Sequence, residues 1–121
     1  MIEGLENLTK NGWEKSTDDL AIKKTFIFSN FIEALGWMVK AGVWAEKLNH
    51  HPEWSNVYKT VNVLLTTHDK GCITNLDVRL AQEMDKLYDL EVLVEQLQRS
   101  TRLPHQRRHL DRHKQSSDCL R

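Results

Sequence analysis

Residues 56–68 read Asn56-Val57-Tyr58-Lys59-Thr60-Val61-Asn62-Val63-Leu64-Leu65-Thr66-Thr67-His68. Their alternation predicts a strand, because successive side chains of an extended chain point to opposite faces. Val57, Lys59, Val61, Val63, Leu65 and Thr67 share one side, and Tyr58, Thr60, Asn62, Leu64, Thr66 and His68 share the other. Upstream, Phe31, Leu35, Met38, Val39, Gly42, Val43 and Ala45 recur at helical spacing. Ser29 or Asn30 is a fit N-cap, with Glu33 at capping-box distance. That helix must end at Asn49-His50-His51-Pro52, since the residue before a proline avoids the helical region. Downstream, Asp69-Lys70-Gly71 is a loop, and Thr74 or Asn75 can cap a second long helix. Its stripe is Leu76, Leu80, Met84, Leu87, Leu90, Val94 and Leu97.

Working outward, residues 13–28 suggest a hairpin, with a start at Trp13–Lys15, a turn at Ser16-Thr17-Asp18-Asp19 and a strand over 21–28. Residues 2–11 form a short amphipathic segment through Ile2, Leu5 and Leu8. The order is therefore α-β-β-α-β-α. It shows no repeat and no parallel βαβ signature, and the class that fits is α+β, an antiparallel sheet with helices packed on one face.

A chain of 121 residues holds one domain, with or without an appendage. Its formal charge is zero, which hides a split. Residues 1–99 carry 11 Lys/Arg against 15 Asp/Glu, a net of −4, whereas 100–121 carry 6 against 2, a net of +4. The last 22 residues hold Leu103, Leu110, Cys119 and Leu120 as their only apolar side chains. The expectation is a folded domain over 1–99 and a disordered basic tail over 100–121. A neutral whole argues against a dedicated nucleic-acid binder. The longest run free of Asp, Glu, Lys and Arg, Thr60–His68, is far too short to span a membrane. The acidic N-terminal sequence is unlike a secretory signal, so a cytoplasmic protein is expected. Cys72 and Cys119 are too few for a disulfide framework, and no CxxC is present.

The residues richest in chemistry are Glu46-Lys47-Leu48-Asn49-His50-His51-Pro52-Glu53-Trp54. Two adjacent imidazoles stand where a helix ends, and an unperturbed imidazole titrates near about pH 6.5, which suits proton transfer at neutral pH. The plainer alternative is that His50 caps the last carbonyls and His51 points at water. His68 ends the strand, where sites commonly sit, though taken alone an ordinary surface histidine is the simpler account. Zinc is poorly supported: His50 and His51 are adjacent, and neither a second thiolate nor HExxH accompanies them. His105, His109 and His113, spaced by four in the tail, offer adventitious metal affinity at most. Trp54 is the tryptophan placed to face a flat heterocycle.

The spaced pattern Glu46-x3-His50-His51-Pro52-x5-Tyr58-x9-His68-x8-Asp77 resembles the signature of the pterin-4a-carbinolamine dehydratases, known also as dimerisation cofactors of a homeodomain transcription factor. The runs 45–58, Thr66-Thr67-His68 and Leu76-Asp77-Val78-Arg79-Leu80-Ala81 strengthen it, and it covers roughly residues 5–98. The resemblance implies a four-stranded antiparallel sheet, with the strand missing from the order above sought by splitting 13–28. It implies loss of water from a 4a-hydroxytetrahydropterin to give quinonoid dihydropterin, without metal or organic cofactor. It implies dimers that can pair into tetramers, with a transcription-factor partner and a nuclear location also open. By resemblance His50 and His68 are the acid–base candidates and His51 binds and orients the pterin. Asn49, Thr66, Thr67 and Asp69 match pterin-contacting positions, and Glu46 and Asp77 hold the histidines in place. Asn49 departs from the Asp usual in animal members, which removes a charge beside the histidine pair. The longer second helix and the basic tail have no counterpart in the family's pattern.

Overall fold

The computed structural model describes residues 4–101. Ile2 and nearly all of the expected 100–121 tail, with His105, His109, His113 and Cys119, lie outside the described residues. The elements are α1 (Leu5–Lys10), β1 (Glu14–Lys15), β2 (Ile22–Ile27), α2 (Phe31–Leu48), β3 (Glu53–Val57), β4 (Thr60–Leu65) and α3 (Asn75–Thr101). The four strands form one sheet in the order β1-β2-β4-β3, and every pairing is antiparallel. The α+β class with a four-stranded antiparallel sheet holds.

One correction concerns the fourth strand. It does not come from further division of 13–28, which supplies β1 and β2, but from 53–57, so that the expected single strand 56–68 is the second arm of a hairpin. The chain reverses at Tyr58, which adopts φ 53. The Asn56 amide closes the turn by donating to the carbonyls of Tyr58 and Thr60, both at 3.0 Å. Beyond the turn the alternation holds: Val61, Val63, Leu65 and Thr67 are buried. Val57, before the turn, is 71% exposed. The strand also stops at Leu65 rather than at His68.

The inner face of the sheet supplies Ile22, Phe26, Val61, Val63 and Leu65 to the core, where they meet Trp37 of α2 and Leu80 and Met84 of α3. Each such large side chain removed from water contributes about 1.5–3 kcal/mol. Trp37 is fully buried, and its indole N–H donates to the Met84 carbonyl at 3.2 Å, which ties α2 to α3. The face that α2 turns inward is Ala34, Trp37, Ala41 and Ala45. The stripe that reveals the helix in the sequence looks elsewhere: Leu35, Val39 and Val43 are exposed. Small alanines bring the helix backbone close to the sheet and leave room for one large indole.

A buried polar knot fastens the N-terminal segment. Asp85 of α3 accepts from the Trp13 indole, the Asn11 amide and, at 2.8 Å, the Lys24 ammonium. The Lys24 ammonium also lies 4.8 Å from the centre of the Phe26 ring, a cation–π contact. In the turn between β1 and β2, the Ser16 hydroxyl and then the Leu20 amide hold the Asp18 carboxyl below its ordinary range.

The chain divides into two compact units, Met1–Glu91 and Val92–Arg121. In the second, the described residues continue α3, with an Arg99–Glu95 ion pair at 2.6 Å. No described helix is long and apolar enough to cross a membrane.

Candidate active site

The site is assembled from three local structures, each legible in its residues. The first is the end of α2. Asn49 takes the left-handed conformation at φ 50, which Asn tolerates better than most side chains. Its own N–H bonds the Glu46 carbonyl, and the His50 N–H bonds the Ala45 carbonyl at 2.9 Å. This pair of backbone bonds turns the chain sharply out of the helix and satisfies its last carbonyls. His50 and His51 therefore leave α2 at a fixed angle before Pro52 leads into β3.

The second is the loop after β4. Thr67 and Cys72 form an isolated antiparallel bridge, with Thr67 N–H to Cys72 carbonyl at 3.0 Å. The Gly71 N–H closes back on the Thr67 carbonyl at 2.8 Å, and Gly71 supplies the φ of 63 that the turn requires. His68 sits at the first position of this turn and is exposed.

The third is the start of α3. Thr74 is its cap: the Thr74 hydroxyl accepts from the Leu76 N–H at 3.3 Å, while Asp77 accepts from the Thr74 N–H at 2.8 Å. Asp77 lies in the first turn, where a carboxylate is favoured.

Asp77 joins the three. It is fully buried. Its Oδ2 accepts from the Thr67 hydroxyl and the Thr74 N–H, and its Oδ1 lies 2.5 Å from His50 Nε2. With Asp77 ionised, its Oδ1 accepts and His50 Nε2 is the donor. His50 itself is only 7% exposed. No buried side-chain nitrogen or oxygen among the described residues lacks a partner, so the unpartnered Nδ1 of His50 opens on solvent. The ring is thus held by its inner nitrogen and presents its outer one.

The other two imidazoles are exposed and each meets a carboxylate. His51 Nε2 lies 2.9 Å from Glu46 Oε1, and His68 Nε2 lies 3.0 Å from Glu53 Oε2. Glu53 stands two residues after His51, and Thr67 immediately precedes His68, so both contacts return to the same region. The side chain of His50 goes to Asp77 instead of capping α2, a task done by its backbone N–H. Glu46 serves His51, five residues on, and not His50. The sequence reading missed Glu53 as a partner of His68. The signal was a carboxylate two residues past the histidine pair.

The remaining expected residues fall around this network. Asn49 and Asp69 are exposed, and Thr67 is buried with its hydroxyl on Asp77. The Thr66 hydroxyl donates to the Leu20 carbonyl at 2.7 Å. Trp54 is half-buried and turns inward, its ring centre 6.3 Å from that of Trp37. Among the described residues no group of three or more His, Cys, Asp or Glu side chains is arranged to hold a metal ion.

One buried imidazole held by a carboxylate, and two exposed imidazoles that each meet a carboxylate, are groups suited to acid–base chemistry. A family model described as pterin 4 alpha carbinolamine dehydratase matches residues 2–87. The chain belongs to that family. A Roseobacter denitrificans protein provisionally named pterin-4-alpha-carbinolamine dehydratase is 60% identical over 83 residues, covering 69% of this chain and 85% of its own. A Rhizobium etli protein of the same provisional name is 57% identical over 75 residues, 62% of this chain and 74% of its own. Among solved structures, a transcriptional coactivator/pterin dehydratase from Brucella melitensis is similar at a TM-score of 0.66 and 37% identity, covering 73% of this chain and 97% of its own. A pterin dehydratase-like protein described as a RuBisCO assembly factor in the alpha-carboxysome shares the fold, at a TM-score of 0.56 and 17% identity over 64% of this chain and 89% of its own.

Proposed function

We propose that this chain dehydrates 4a-hydroxytetrahydropterin to quinonoid dihydropterin and water, and so serves the recycling of tetrahydrobiopterin. The C–O bond at C4a breaks as an acid protonates the departing hydroxide. A base takes the proton from ring nitrogen N5, and the electrons left behind form the C4a–N5 double bond. Each proton transfer is worth about 10²–10⁴ in rate. His50 and His68 are the acid–base pair, and which acts as acid depends on the ring face that carries the hydroxyl. His51, with Glu46, binds and orients the pterin, with Asn49, Thr66, Thr67 and Asp69 around it; Trp54, turned toward Trp37, has no part in it.

The observation that carries this reading is the Asp77–His50 contact at 2.5 Å, because it holds the ring by Nε2 and leaves Nδ1 outward. The Thr67 hydroxyl on the same carboxylate tethers the residue before His68. A stopped-flow assay on synthetic carbinolamine is the test. Dehydration well above the uncatalysed rate is expected, and a rate equal to the buffer's overturns the reading.

A second reading concerns assembly. Ile32, Leu35, Val39 and Val43 form an exposed apolar stripe on α2 with exposures of 71%, 44%, 61% and 55%. No neighbour lies within 4 Å of where a Cβ would stand on Gly36 and Gly42. Such a face on a small protein calls for a covering surface. A second copy of the chain supplies it in a homodimer or homotetramer, and a transcription-factor partner is the alternative occupant.

A further inference from the structure

The outer face of the sheet carries a groove that the acid–base chemistry does not use. It has a volume of about 650 Å³, within the usual range for small-molecule sites. Glu53, Ser55, Asn62, Thr25, Lys23 and Glu14 line it. The strand registers explain its composition. Glu53 pairs with Leu64, Leu64 with Lys23 and Lys23 with Glu14, which makes one row across all four strands. Ser55, Asn62 and Thr25 make the next row. Two residues along a strand separate the rows by about 7 Å.

Glu53 is the wall between this groove and the site, since the same carboxylate holds His68. The second row is polar and uncharged. The Thr25 hydroxyl donates to the Asn62 carbonyl oxygen at 2.7 Å, which orients the Asn62 amide and leaves its N–H donors without a partner among the described residues. The Ser55 hydroxyl has no partner among the described residues. Free neutral donors and acceptors on a rigid sheet suit hydroxyl groups better than either an ion or a hydrocarbon.

The chemistry of the substrate supplies the second half. The pterin side chain sits on C6, the carbon bonded to N5, which is the nitrogen that loses its proton. A pterin whose C4a–N5 edge faces the imidazoles must therefore send its side chain out beside them. We infer that Ser55 and Asn62 form a subsite for the C6 side chain, and that it selects a hydroxylated chain over an aliphatic one. This rests on the dehydratase reading and adds to it the residues that recognise the side chain.

The test compares two carbinolamines, one with a 6-dihydroxypropyl and one with a 6-methyl group, in stopped-flow dehydration. Wild type should show the lower KM for the diol. In Ser55→Ala and in Asn62→Ala, assayed separately, the diol-over-methyl ratio of kcat/KM should fall by about tenfold, the value of one neutral hydrogen bond at the upper end of its range. A ratio between substrates is unaffected by the fraction of enzyme folded. A wild-type protein without preference, or a ratio unchanged in both variants, overturns the subsite and leaves the dehydratase reading standing. A wild type that accelerates neither substrate overturns both.

Discussion

Asp77 and His50, 27 residues apart in sequence, meet through Oδ1 and Nε2 at 2.5 Å in a buried contact. The relationship couples the start of one helix to the end of another, and its other oxygen reaches the loop that carries His68. One carboxylate thus ties His50, the loop before His68 and the start of α3 together. Asp77→Asn keeps the shape but no longer fixes which imidazole nitrogen bears the proton. Dehydration should slow by about 10²-fold or more, within the range of a lost acid–base group. Stopped-flow rates, with circular dichroism to report the fold, check this.

Asp85 is the contrasting case, a buried carboxylate remote from the histidines. Asp85→Ala leaves the Trp13 indole N–H without its acceptor and the Lys24 ammonium with the Asn11 carbonyl but no countercharge among the described residues. Removing one partner of a buried pair costs about 3–5 kcal/mol. Urea denaturation should show that loss, while turnover per folded molecule stays near the wild-type value.

Tyr58 pays for its position at the hairpin. A non-glycine residue at φ 53 bears about 1–2 kcal/mol of steric strain. Tyr58→Gly should recover part of it, offset by glycine's greater freedom in the unfolded chain. A net gain of about 0.5 kcal/mol in the denaturation midpoint analysis is expected, whereas a loss above 1 kcal/mol contradicts the strain account.

Val39 and Val43 test the assembly reading. Both are exposed on the outer side of α2. Val39→Glu with Val43→Glu should leave the thermal midpoint of the isolated subunit intact and lower the mass found by analytical ultracentrifugation. An unchanged mass removes α2 from the interface.

The sequence made the helices plain, because Asn30 and Thr74 stand as caps where their stripes begin. The hairpin at 58–59 was hidden because its turn lacks glycine. Its closure depends on the Asn56 side chain, two residues upstream, and only the pairing of Asn56 with Val61 shows where the register falls. The α2 stripe misleads about direction for a related reason. The inward face is mostly alanine, which burial favours but periodicity barely registers.

In the site, the residues alone left plain readings open for all three histidines, and it was the resemblance that grouped them. Their partners were less legible still. The resemblance set Glu46 to hold a histidine without saying which; Asn49 turns the chain out of the helix, and that brings Glu46 to His51. Glu53 reaches His68 because strand pairing sets it opposite Leu64, four residues before that histidine. Such meetings follow from register, which no local pattern encodes.

The most direct measurement is stopped-flow dehydration by the His50→Ala, His68→Ala double variant, with folding confirmed by circular dichroism. The account predicts a rate indistinguishable from the uncatalysed reaction. A folded double variant that turns over at the wild-type rate contradicts it.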